Sequence, residues 1–264
     1  MGASSPVGVF DSGVGGISIV REIRRLLPAL DILYASDARF LPYGEKDEDF
    51  VRERSLHIAD SLIRRGATAI VIACNTATAA AAESLRATLA VPVVGIEPAV
   101  KPAAAATRSG IVGILATAST LQSRRYAELL SRHGGFVRVI GEPCPGLVER
   151  VEQGDLDGPV TLALLERHIA PLLAAGADTL VLGCTHFPFL RSAIERIAGP
   201  AVTVVDPSDA VARRLAKLLA SPVAGNGTIR AFSSGDCETQ SRLMSRLLGF
   251  DLPVEPLDCV EATA

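Results

Sequence analysis

Basic surplus and aromatic residues are both scarce in this 264-residue chain: the formal net charge is -3 and only 4% of residues are aromatic. Phosphate neutralisation and base stacking therefore lack material, which excludes nucleic acid as a main ligand. There are three lysines, Lys46, Lys101 and Lys217, and none follows a strand end in a glycine-rich setting, so no Schiff-base site for pyridoxal phosphate is visible. The five cysteines, Cys74, Cys144, Cys184, Cys237 and Cys259, are odd in number and widely spaced, which argues against a disulfide framework. Paired Cys-x-x-Cys spacing is missing, and with it the signature of a structural zinc site, so no metal is expected. No apolar run is long enough for a membrane helix. The opening "MGASSPVGVF" shows no export signal, and Pro6 stands where myristoylation wants Ser or Thr. The expected compartment is the cytosol, with no membrane partner.

What is present is a repeated unit. Short β-branched runs, turns rich in Gly, Ser, Thr, Asn or Asp, and amphipathic helical stretches alternate along the chain, which predicts an α/β fold with mainly parallel sheets flanked by helices. Ile17, Val20, Ile23, Leu27 and Leu30 recur at helical spacing after "DSGVGG", and a second helical stretch runs from about Asp47 to Arg65 and stops at Gly66. Strand ends in the first hundred residues have counterparts at a nearly constant offset, Phe10 with Leu115, Leu33 with Val139, Cys74 with Cys184 and Pro98 with Pro207. This predicts two pseudo-symmetric domains, 1–98 with 208–264 and 99–207, the segment from Ser208 packing back on the first half. "DSGVGG" lacks the full dinucleotide fingerprint, because Ser18 stands where the third glycine belongs.

The two cysteines in "VIACNTATA" and "LVLGCTHFP" each end an apolar run and precede a helix-like stretch. Ligands of parallel sheets sit beyond the carboxyl ends of the strands, where Asp11, Cys74, Thr117 and Cys184 all fall. Two domains facing one another would place the thiols on opposite sides of an interdomain cleft. That arrangement suits inversion at carbon, one thiolate removing a proton and the other thiol delivering one. A cysteine hydrolase would use one thiol and leave the second without a reason. A free thiol near pKa 8.5 needs tuning for this work. Asp11 can orient one thiol or accept its proton, His186 can do so for the other, and Asn75, Thr76 and Thr185 supply donors for a carboxylate or enolate oxygen.

In this order "GVFDSGVGG", "PYGEK", "ACNTATA" and "GCTHFPFL" resemble the glutamate racemases of the aspartate/glutamate racemase superfamily, over about Val7 to Asp206. "ILATASTLQSRRY" resembles that family's threonine-rich segment and "CPGLVERVEQG" its loop carrying an acidic residue. The resemblance implies a cofactor-independent racemase that interconverts L- and D-glutamate and supplies the D-isomer for peptidoglycan. It places the catalytic thiols on Cys74, acting on D-glutamate, and Cys184, acting on L-glutamate, with Asp11, Glu152 and His186 in support. Substrate contacts map to Ser12, Pro42, Tyr43, Gly44, Asn75, Thr76, Thr117, Thr120 and Thr185 besides Asp11, His186 and the thiols, and Tyr43 is expected to close over the site as a lid. A homodimer is the assembly implied. Phe40 stands where the family often has an arginine, Arg39 lying one place earlier, and the short lead-in leaves no room for a regulatory extension. An aspartate or hydantoin racemase, or a glutamate-binding sensor without turnover, are the rival readings. Cys144, Cys237 and Cys259 are read as structural.

Overall fold

The computed structural model describes residues 5–135, 137–219 and 225–258. Cys259 lies outside them. The chain divides into two compact units, Met1–Ile96 with Ser208–Ala264 and Glu97–Pro207.

The first unit begins β1 (Val7–Asp11), α1 (Ile17–Leu26), β2 (Ile32–Ser36), α2 (Glu48–Arg64), β3 (Ile70–Ile72), α3 (Asn75–Thr88) and β4 (Val93–Gly95). The second holds α4 (Val100–Ala106), β5 (Ile111–Ala116), α5 (Ala118–Gln122), α6 (Arg124–His133), β6 (Arg138–Pro143), α7 (Leu147–Glu152), α8 (Pro159–Ala174), β7 (Thr179–Leu182), α9 (Arg191–Ala198) and β8 (Thr203–Val205). The chain then returns to the first unit with α10 (Ser208–Leu218), β9 (Ile229–Ser233), α11 (Cys237–Leu248) and β10 (Val254–Pro256).

All strand pairs described are parallel. The six-stranded sheet runs β10-β9-β2-β1-β3-β4 and the four-stranded sheet β6-β5-β7-β8. Removing β10 and β9 leaves the same order in both, first strand central and flanked by the second and third. The offsets between strand ends thus reflect one topology used twice. Registers agree as well: Phe10 pairs with Ile72 and Leu115 with Leu182, and each cysteine follows two residues later.

Burial on both faces explains why the central strands read as unbroken apolar runs. Every residue of β1 and β3 is buried, as is every residue of β7. Helix α2 is started by Asp47, whose carboxylate accepts from the Asp49 amide, and closes at Gly66 with φ +97°. Its inward stripe is Val51, Ser55, Ile58 and Leu62, interrupted by Arg54. This interruption matters for the site.

Candidate functional site

In both units a backbone hydrogen bond fixes the residue before the cysteine. The Ala73 amide donates to Phe10 O at 2.8 Å, and the Gly183 amide donates to Leu115 O at 2.7 Å. The central strand thereby sets where each thiol leaves the sheet. Cys74 is 6% exposed and Cys184 is 7% exposed.

Beyond this corner the two sites diverge. Cys74 is the N-cap of α3: the Ala77 amide donates to its Sγ at 3.4 Å, and Ser12 Oγ lies 3.9 Å from the sulfur. A helix N-terminus favours negative charge, so this position favours the thiolate. Cys184 was expected to precede a helix in the same way, but it enters a turn followed by a 3-10 segment, Phe187–Leu190. Pro188, four residues after Cys184, has no N–H to offer its carbonyl. The Phe187 amide bonds Cys184 O instead, at 3.1 Å, whereas in the first unit Thr78, four residues on, bonds Cys74 O at 2.9 Å.

A histidine stands in for the missing helix. His186 Nδ1 lies 3.7 Å from Cys184 Sγ, and its Nε2 lies 2.7 Å from Glu152 Oε1 at the end of α7. Burial works against the imidazolium, yet hydrogen bonds to Cys184 and Glu152 and their negative charges outweigh it and hold the His186 pKa well above its ordinary value. Glu152, His186 and Cys184 thus form a continuous acid–imidazole–thiol chain within one unit.

The other residues expected at the site distribute between the units. Asp11 ends β1 and is buried, its Oδ1 accepting from the Gly13 amide at 2.9 Å. Ser12, Asn75 and Thr76 are buried around the Cys74 corner. The Asn75 amide nitrogen and oxygen are both buried with no hydrogen-bond partner among the described residues, a cost that a polar ligand would relieve. In the second unit Thr117 follows β5 and caps α5, accepting from the Thr120 amide and donating to Thr120 Oγ1 at 2.8 Å. Thr120 and Thr185 are buried there.

Pro42, Tyr43 and Gly44 lie after β2, Tyr43 and Gly44 within a 3-10 turn. Tyr43, expected as a lid, is pinned. It is 1% exposed, and its hydroxyl donates to Asp37 Oδ2 at 2.5 Å. Burial first, then the Asp37 carboxylate, push its pKa well up, so the phenol stays protonated. Asp37 in turn takes a two-pronged ion pair from Arg54, Nε to Oδ2 at 2.9 Å and Nη2 to Oδ1 at 2.7 Å. Sequence reading passed over Asp37 and Arg54. The available signal was an arginine on the apolar stripe of α2, where charge is rarely left without a partner.

Comparison with known proteins accords with this geometry. The Asp/Glu/Hydantoin racemase family model matches residues 7–215. Glutamate racemase of Pseudomonas aeruginosa strain PAO1 is 52% identical over 251 residues, 93% of this chain and 95% of the relative. That of Ectopseudomonas mendocina is 51% identical over 252 residues, 94% of this chain and 96% of the relative. Among solved structures, Escherichia coli glutamate racemase in complex with L-glutamate and the activator UDP-MurNAc-Ala superposes with TM-score 0.87 at 37% identity, covering 97% of this chain and 99% of the other. The Francisella tularensis enzyme in complex with D-glutamate gives 0.82 at 28% identity, 98% of each chain covered. With a doubled parallel-sheet topology, a buried cysteine closing the third strand of each unit and sequence likeness over nearly its whole length, the chain belongs to the Asp/Glu/Hydantoin racemase family.

Proposed function

We infer that the protein is a glutamate racemase, interconverting L- and D-glutamate and so providing the D-isomer for peptidoglycan. Identity of about half to curated glutamate racemases over nearly full length carries this reading. The assignment of roles to residues is our proposal. Cys74 as thiolate takes the α-proton of D-glutamate, breaking C–H and forming S–H, and the thiol of Cys184 returns a proton to the opposite face; L-glutamate runs the same path in reverse. Both thiols must therefore reach the α-carbon from opposite sides.

The α-proton is a weak acid beside a charged carboxylate, so donors around that carboxylate lower the barrier by stabilising the enediolate-like transition state. Asn75, with its buried unpartnered amide, together with Thr76 and Thr185, fills that role. His186, held charged by Glu152, stabilises the Cys184 thiolate between turnovers, and the α3 amide end does so for Cys74. On the resemblance, Asp11, Ser12, Pro42, Tyr43 and Gly44 of the first unit and Thr117 and Thr120 of the second are assigned as further substrate contacts. The scheme uses side chains of the chain alone and calls on no cofactor. A cytoplasmic homodimer is the setting proposed on the resemblance; no helix among the described residues is long and apolar enough to cross a membrane.

The test is proton exchange in deuterium oxide without added cofactor, following circular dichroism and α-deuterium incorporation from each glutamate enantiomer, with aspartate and a hydantoin as controls and glutamate binding measured by calorimetry. Racemisation of glutamate alone, with solvent deuterium entering the product enantiomer, is expected. Turnover of aspartate or a hydantoin alone would keep the two-thiol chemistry and overturn the substrate. Binding of glutamate without exchange would indicate a sensor.

A further inference from the structure

Arg54 is the largest fully buried side chain in the described structure, 1% exposed, and its partner Asp37 is fully buried. A buried arginine–carboxylate pair is costly to assemble, because both charges leave water, and such pairs contribute little to stability relative to apolar residues of the same volume. Its position here is therefore informative. Asp37 directly follows β2 and its amide donates to Asp11 O, at the end of the central strand. Asp37 Oδ2 also accepts from Tyr43 Oη, and Tyr43 packs in the same cluster of buried side chains as Cys74. The 3-10 turn that carries Tyr43 packs against α3, the helix that Cys74 caps.

Without Arg54, the Asp37 carboxylate would be an uncompensated buried charge one hydrogen bond from Tyr43, in the cluster that also holds Cys74. With it, the pair is neutral and the carboxylate is fixed in the plane of the guanidinium fork, which holds the Tyr43 hydroxyl. Phe40 covers one face of the guanidinium, its ring centroid 4.4 Å from Arg54 Cζ, and Phe50 meets Phe40 edge-on at 5.5 Å. The residue that departs from the family pattern thus lies on the guanidinium as a cation–π lid.

We propose that Arg54 is a positioning residue for the proton transfer at Cys74, neutralising Asp37 and, through it, holding Tyr43 in the turn that packs against α3, the helix that Cys74 caps. The proposal rests on the two-thiol reading of the site, and its test separates the two. The variant is Arg54→Lys, whose ammonium is a point charge on a flexible stem, so that Asp37 loses the two-pronged contact and with it both its fixed orientation and part of its neutralisation. The first readout is the rate of alkylation by iodoacetamide at Cys74 and at Cys184, resolved by peptide mass spectrometry on the folded full-length protein. Cys74 is expected to react several-fold more slowly in the variant while Cys184 is unchanged, whether or not glutamate is the substrate. Equal change at both thiols, or change at neither, overturns the proposal.

The second readout uses α-deuterated substrates. Arg54→Lys is expected to increase the isotope effect on kcat/KM starting from the enantiomer that Cys74 deprotonates and to decrease it from the other, since the Cys74 step becomes more limiting. A merely structural lesion moves both alike, which also overturns the proposal. An increase from L-glutamate, with a decrease from D-glutamate, would keep the role of Arg54 and reverse our enantiomer assignment. Selective slowing at Cys74 without any glutamate exchange would keep it and overturn the substrate. Should Arg54→Lys fail to fold, Phe40→Leu removes only the covering ring and is expected to give the same asymmetries at smaller amplitude; alkylation rates of both thiols equal to those of the parent would overturn the proposal.

Discussion

Cys74 and Cys184 occupy matching corners but meet different groups, one the Ala77 amide of α3 and the other His186 backed by Glu152. This difference should be visible in the pH dependence of stability. The folded His186 pKa lies well above its ordinary 6.5, so the folded protein keeps a proton that the unfolded chain releases. Stability from this source is complete below about pH 6.5 and is lost as pH rises from there through the folded value. In Glu152→Gln, one of the groups raising that pKa loses its charge. We expect this variant to be less stable by about 1–3 kcal/mol on the acidic side of the window. The gap to the parent should close as pH rises. Urea unfolding across pH 6 to 9 measures both arms; a constant gap would mean that proton uptake at His186 is not what Glu152 stabilises. At this scale the thiols were legible in the sequence because each terminates an apolar run and is followed by polar residues. Asp37 and Arg54 were not, because an arginine in "FVRERSLH" resembles solvated charge until the phase of α2 turns it inward.

Among the elements, the strand-to-cysteine corner carries the most constraint. Gly183 and Ala73 fill the same place, yet a Cβ on Gly183 would lie 2.8 Å from Leu115 O and 2.9 Å from Ala116 Cβ. The contact with a backbone oxygen cannot be relieved by rotating a side chain, so β7 and β5 would have to part. Gly183→Ala should therefore cost about 1–3 kcal/mol by overpacking. It should also displace Cys184, and a shift of about an ångström lowers turnover by roughly a hundredfold. Parallel measurement of urea midpoints and racemisation tests this, and unchanged kcat with lowered stability would show that the corner adjusts without moving the thiol. The strands were legible at this level because residues buried on both faces need no polar alternation. The segment after Cys184 reads as helix-like, and it is helical, but it opens as a 3-10 turn before α9 because Pro188 lacks the N–H that an α-helix starting at Cys184 would need.

Across the whole chain, the doubled topology is unequal in one respect: the first unit is discontinuous and the second is not. Offsets between strand ends revealed the repeat, but not that β9 would lie beside β2, which depends on pairing distant in sequence. Residues Ile32 to Ser36 pair with Ile229 to Ser233, and Ser36 Oγ bonds Gln240 Oε1 at 2.9 Å. Asp31 Oδ1 accepts from the amides of Asn226 and Thr228 and from Thr228 Oγ1. Ending the chain at Pro207 would therefore strip β2 of one neighbour, leave Asp31 and Ser36 without these partners, and uncover the face of α1 that packs on α10. Unpaired strand edges and orphaned polar groups both destabilise. The second unit, by contrast, keeps its entire sheet within residues 97–207. Residues 97–207 expressed alone should unfold in one cooperative urea transition, while residues 1–207 should show that transition only, with the first unit aggregated or open to protease. Two cooperative transitions in the truncated chain would mean that β1 to β4 suffice as a core, and that the returning segment serves some end other than completing the first sheet.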